Sequence, residues 1–242
     1  ANSASIIINY LQAYLADYSL ELSPLLIDPL LEVRTRVWYN PGLRSVNFVV
    51  PGLVAVFMMM VCAMLTAITI AREKETDTLE QILVSPIRKH EVLLGKVLPY
   101  VILSFLVGTV ILGFSYFWFK VPFSGSILLL ATLALFYLFT ALAFGILIST
   151  IVPNQQIAMA VSLVSTILPS IMLSGFIFPI PSMPKLLQWL TYLIPARYFL
   201  LIIRGIMLKG IGLDVALWWV LPLFLLSAFF LFVAGRRFKL KL

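Results

Sequence analysis

Residues 71–96 read Ala71-Arg-Glu-Lys-Glu-Thr-Asp-Thr-Leu-Glu-Gln-Ile-Leu-Val-Ser-Pro-Ile-Arg-Lys-His-Glu-Val-Leu-Leu-Gly-Lys96, a charged island in an otherwise apolar chain. The island holds five of the ten acidic residues of the sequence. An uncharged run of roughly two dozen residues flanks it on each side, long enough to cross a hydrocarbon core. A polar segment between two such runs has to lie at or beyond the membrane surface. It is therefore where this chain meets water and anything dissolved in it.

Composition agrees. The 242 residues are 62% hydrophobic and only 11% charged, against about 25% charge in a soluble domain, with a mean hydropathy of +1.08. So little charge cannot coat a water-soluble globule, which predicts an integral membrane protein. The net charge of +7 is spread over loops and ends. It suits headgroup contact and topology, and no basic stripe interleaved with aromatics points to nucleic acid. Cys62, the one cysteine, sits in an apolar run and reads as a small packing residue. His90, the one histidine, stands among Arg88, Lys89 and Glu91 and reads as solvated or facing headgroups.

Uncharged stretches place five spans, near Phe48–Ile70, Val97–Phe119, Ser126–Ile151, Gln156–Phe178 and Val215–Ala234, with Pro153-Asn154-Gln155-Gln156 dividing the third from the fourth. No alternating pattern appears in them, so helices must satisfy the backbone. Between Pro179 and Asp214, prolines cut the apolar sequence into two pieces, Leu186–Ala196 and Tyr198–Leu208, each too short to cross. Interfacial or re-entrant helices over residues 179–213 are expected, with Trp189, Tyr192 and Tyr198 at interfacial depth and Arg197 and Arg204 reaching to water or a lipid phosphate.

Lysine and arginine set the orientation. Arg72, Lys74, Arg88, Lys89 and Lys96 share a face with Arg236, Arg237, Lys239 and Lys241, clustered at span ends, which makes that face cytoplasmic. Residues 1–47 are then external, although they show neither a signal-peptide layout nor an upstream span. The sequence therefore reads as the C-terminal part of a longer protein. Residues 4–20 carry apolar side chains at helical spacing (Ile7, Tyr10, Leu11, Tyr14, Leu15, Tyr18), and Leu31–Trp38 alternates as a strand does. Together they predict the end of an external α/β domain over 1–47, followed by a transmembrane domain over 48–242.

Within the island, Asp77 with Glu80 makes a box-like helix start, Leu79, Ile82 and Leu83 share a face, and Ser85-Pro86 stops the helix. A short amphipathic helix of this kind docks into a groove on a soluble partner or buries its stripe in lipid. The residues alone leave both open.

Glu73, Thr76 or Thr78, Leu79, Glu80, Gln81, Leu83, Ser85 and Pro86 resemble the cytoplasmic signature of the ATP-binding-cassette type-2 permease family. Arg36-Val-Trp-Tyr-Asn-Pro41, Ile148-Ser-Thr150 with Asn154-Gln-Gln156, and Pro169 through Pro179 with Met183-Pro184 and Pro195-Ala-Arg-Tyr-Phe199 resemble, in order, the bacterial multidrug-exporter branch. The resemblance implies six spans with a large external domain between the first two, of which this chain holds the domain's end and the last five spans. It implies that residues 72–90 form a coupling helix seated in a cleft of a separate ATPase subunit through Glu73, Thr76, Leu79, Glu80, Gln81, Leu83 and Pro86. It implies a second permease chain, alike or closely related, ATP and magnesium bound by the partner ATPase, and residence in the bacterial inner membrane.

What is missing fits. Gly95-Lys96 is followed by Val97, with His90 where a phosphate-cradling loop needs its first glycine, so no ATP site is expected in this chain. The expected spans contain no Asp or Glu, which disfavours ion coupling, and no cluster suits an intramembrane enzyme. The expected function is a permease exporting hydrophobic or amphiphilic compounds. The alternative is a membrane scaffold or an amphiphile-sensing subunit. Met58, Met59, Met60, Met64, Phe176 and Phe178 are candidates for the pathway lining, joined by Phe105, Phe136, Phe139 and Phe144, against the plainer reading that such residues face lipid or neighbouring helices.

Overall fold

Five helices long and apolar enough to cross a membrane organise the computed structural model, which describes residues 7, 9–15, 17, 18, 42, 44–76 and 89–237. They are α1 (Val46–Glu75), α2 (Lys89–Phe117), α3 (Ile127–Ile151), α4 (Gln155–Met172) and α7 (Leu213–Arg237). Between α4 and α7 lie a 3-10 turn (Ile180–Ser182), the short helices α5 (Lys185–Thr191) and α6 (Pro195–Arg204), and a π turn (Gly205–Lys209). No strand occurs among the described residues, so the molecule is an all-α polytopic membrane protein. The expected strand at Leu31–Trp38 lies outside them, as do residues 77–88, which hold most of the island.

The chain divides into two compact units, Ala1–Phe48 and Val49–Leu242. In the first, residues 9–15 are helical as expected, with Tyr10, Leu11 and Tyr14 exposed.

The second unit is built around α3, which is apolar on every side and correspondingly buried. It packs along α7 and also meets α2, α4 and α6. Small residues bring α1 onto it: a Cβ at Gly145 would lie 2.5 Å from the Ala63 carbonyl oxygen. The buried Tyr137 hydroxyl donates to Ala55 O of α1 at 2.8 Å, and its ring stacks on Phe199 of α6 at 4.2 Å. Thr140 donates to Leu223 O of α7 at 3.2 Å. Cys62 is fully buried, its thiol directed at Leu138 O at 3.6 Å.

Several boundaries differ from expectation. Helix α1 runs on past Ile70 to Glu75, because Ala71-Arg-Glu-Lys-Glu are good helix formers and Arg72 and Lys74 suit a helix C-terminus. Helix α2 begins at Lys89 rather than Val97. The fourth span stops at Met172, not Phe178: Ser174 donates back to Ser170 O, and Gly175 takes φ +81°. The third span instead agrees with expectation, starting where Ser126 caps it, its hydroxyl accepting from Leu129 N at 3.3 Å.

The 179–213 region is broken as expected, but at Thr191–Pro195, where the two pieces meet at 79°. Trp189 and Tyr192 are exposed, whereas Tyr198 turns inward and donates to Tyr192 O at 2.9 Å. The two arginines also turn inward instead of reaching out. Arg204 donates to Gly175 O at 3.2 Å, while Arg197 bonds Thr191 Oγ1 and lies 4.0 Å above the Tyr192 ring. A backbone carbonyl for Arg204, and a hydroxyl and an aromatic face for Arg197, meet part of the demand of these guanidinium groups.

Candidate functional site

Two regions of the second unit carry functional interest. The first is a cavity of about 630 Å³ between α1, α2, α3 and α6, at the end of the bundle where α2 finishes and α3 begins. Val54 and Met58 of α1 form one wall, Phe105 through Phe117 of α2 a second, and Ile127, Leu130, Ala131 and Ala134 of α3 a third. Phe123 and Gly125 of the connecting loop and Phe199 of α6 complete it. Among the described residues no charged side chain lines it, and the Thr109 hydroxyl is turned back to Phe105 O at 2.9 Å. Such walls reward apolar surface and penalise an unpaired charge.

Two glycines leave the room. A Cβ at Gly108 would come 2.5 Å from the Met58 sulfur, so α2 approaches α1 there, while Gly113 has open space beside it. The loop end of the cavity is held by Ser124 N–H donating to Met207 O of the π turn at 2.9 Å. Gly125 lies against Ile206 O so closely that a Cβ would fall 2.6 Å away.

Of the expected lining residues, Met58 and Phe105 face this cavity. Met59 is buried beside Ser170 of α4, whose hydroxyl lies 3.9 Å from its sulfur, and Met60 and Met64 are half-buried along α1. Phe176 is buried on Gly52, and Phe178 is exposed. Phe144 packs on Phe230 at 5.1 Å between centroids, and Phe136 and Phe139 are exposed. The sequence reading missed Gly108, Tyr116, Phe123 and Phe199; the glycines at 108 and 113 among large apolar residues were the available signal.

The second region is the island's near edge. Glu73 lies on the last turn of α1 and Thr76 just past its end, with Thr76 Oγ1 donating to Arg72 O at 3.0 Å. Beside them Lys74 Nζ donates to Ser149 O of α3, and Glu75 Oε2 accepts from Gln155 N of α4 at 3.2 Å. Leu79, Glu80, Gln81, Leu83 and Pro86 lie outside the described residues.

The model of the family described as "ABC-2 family transporter protein" matches residues 1–236. The chain belongs to the ABC-2 transporter family. Among curated relatives, this ABC-2 chain is 41% identical over 214 residues to the probable multidrug ABC transporter permease YbhS of Escherichia coli, covering 88% of this chain and 56% of that protein. It is 36% identical over 232 residues to the probable multidrug ABC transporter permease YbhR of the same organism, covering 94% and 62%. It is 28% identical over 210 residues to ABC transporter G family member 20 of Dictyostelium discoideum, covering 86% and 29%. The ABC-2 chain thus spans a little over half the length of these two bacterial relatives. No solved structure matches it.

Proposed function

We propose that this chain is the membrane-spanning portion of a permease subunit that exports hydrophobic or amphiphilic compounds, powered by a separate ATP-binding-cassette ATPase. The observation that carries this reading is the family match along residues 1–236, with relatives described as multidrug permeases. The uncharged cavity supports it, since a greasy recess between helices takes an apolar cargo without demanding a counter-charge. ATP and magnesium belong to the partner ATPase. Two permease chains, identical or closely related, pair in the bacterial inner membrane among lipids, and nucleic acid has no part.

In this reading the ATPase-docking segment, the coupling helix, spans about residues 72–90, from the last turn of α1 to the first turn of α2. Glu73, Thr76, Leu79, Glu80, Gln81, Leu83 and Pro86 rest in a cleft of the ATPase on the cytoplasmic face. Closure of the ATPase dimer presses that helix, the spans rock, and cargo leaves outward past Met58 and its neighbours. Residues 1–47 and 179–213 lie on the external side.

The test is reconstitution of the full-length protein with its candidate ATPase. Apolar substrate should stimulate nucleotide hydrolysis, and Leu83→Asp or Glu80→Lys should abolish the stimulation while membrane insertion is kept. Unchanged hydrolysis in both variants counts against docking and favours a scaffold or sensor. A cysteine at Lys89 should resist impermeant reagents in intact cells; ready labelling reverses the orientation.

A further inference from the structure

The corner between α3 and α4 (Val152, Pro153 and Asn154) leaves backbone groups that the helices themselves cannot satisfy. In a continuing helix the Ser149 carbonyl would accept from residue 153, but Pro153 has no N–H to give. On the far side, Gln155 is the first residue of α4, and its N–H is one of the orphan donors of a helix start. Asn154 deals with the next turn, its side-chain oxygen accepting from Ile157 N at 2.9 Å and its carbonyl from Ala158 N at 3.0 Å. The Ser149 carbonyl and the Gln155 N–H are met by neighbouring residues of one foreign helix. Lys74 Nζ donates to Ser149 O, and Glu75 Oε2 accepts the Gln155 N–H at 3.2 Å.

The signs are matched as well. A cation sits at the negative end of α3 and an anion at the positive start of α4, which is the favourable pairing at each terminus. Beneath the two charges, Ala67 and Ala71 of α1 pack on Ile148, Val152 and Ala158 in a small apolar cluster, so the side chains close over a seated helix and do not bridge a gap. Lys74 and Glu75 are also the last residues of α1, at the near edge of the island, and the helix reaches them without a break from inside the bundle. A displacement of this end of α1 is thus delivered to two points on the α3–α4 corner.

We infer that Lys74 and Glu75 are positioning residues that transmit motion of the island to α3 and α4. The island then moves α3 and α4 directly, and α3 is a wall of the apolar cavity. This rests on the reading of the island as the place where the ATPase acts. It adds a route by which one input moves three spans together.

The experiment uses the full-length permease with its ATPase in proteoliposomes and compares Lys74→Met, Glu75→Gln, the double variant and Arg72→Gln. Arg72 is exposed on the same turn and serves as the control for lost charge. In the double variant, substrate-stimulated hydrolysis should stay within about twofold of wild type while transport per ATP falls about tenfold, the size of an ordinary coupling term. The single variants should fall between, and Arg72→Gln should match wild type. Wild-type transport per ATP in the double variant overturns the inference, and so does a parallel fall of transport and hydrolysis with loss of folded protein.

Spin labels at Thr76 and Gln156 give a readout independent of transport. The distance distribution should be narrow in the natural sequence and broad in the double variant, and an unchanged distribution also overturns the inference. If wild type shows no ATP-driven transport at all, the proposed function fails, and the spin-label comparison still decides the tie.

Discussion

Replacing Gly145 by alanine tests the α1–α3 seam at its tightest point. The added methyl would sit 2.5 Å from Ala63 O, 2.9 Å from Thr66 Cβ and 3.0 Å from Ala63 Cα, whereas ordinary contact begins at 3.4 Å. Two of these three atoms are backbone, so no flexible side chain can step aside, and α1 must move off α3 by about 1 Å, a gap that forfeits a quarter to a half of each contact's dispersion energy. Overpacking of this kind costs about 1–3 kcal/mol, partly offset by about 1 kcal/mol from removing a glycine inside a helix. The net loss of up to about 2 kcal/mol lowers the melting temperature by up to about 8 °C in a protein of this size.

The assay heats the full-length protein in mild detergent and follows the surviving monodisperse peak by fluorescence-detected gel filtration. Gly235→Ala is the internal control: nothing lies within 4 Å of its added Cβ, so it gains the helix term alone and melts at or above wild type. A Gly145→Ala protein as stable as the Gly235→Ala protein would refute the account of the seam.

Three further outcomes follow from the same geometry. Asn154→Ala removes the acceptor for Ile157 N and should cost about 1 kcal/mol, or about 2–4 °C in the same heating assay. Tyr137→Phe keeps the stack on Phe199 but deletes the bond to Ala55 O, and should cost roughly 0.6–1.7 kcal/mol, the range for hydrogen bonds between membrane helices. Ala131→Trp places an indole in the apolar cavity and should weaken binding of an apolar fluorescent substrate about tenfold, or about 1.4 kcal/mol; unaltered binding would remove the cavity from the pathway.

The membrane class and the five long helices were readable because charge is so unevenly distributed: an uncharged run of bilayer length has few alternatives. Ends were harder. The island's first residues, Arg72 to Glu75, are strongly charged yet good helix formers, so a charge-based boundary cut α1 short where the backbone continued. Phe176 and Phe178 are apolar enough to extend a span, but Gly175 at φ +81° turns the chain before them, and hydropathy does not register a dihedral angle. The candidate lining was only partly legible for a related reason. Methionines 58, 59, 60 and 64 sit on different sides of one helix, and which side meets a cavity depends on where α2 and α3 lie, information carried by distant glycines. The bonds from Lys74 and Glu75 to the α3–α4 corner join residues about 75 to 80 positions apart, beyond the reach of any local pattern.

Cys62 has a practical consequence for all these measurements. Enclosed between α1 and α3 with no exposed surface, its thiol is out of reach of maleimides and methanethiosulfonates in water. Reporter groups can therefore be attached at Thr76, Gln156 or Lys89 of this segment without first deleting the native sulfur. The packing around it then stays as evolved while the probes report.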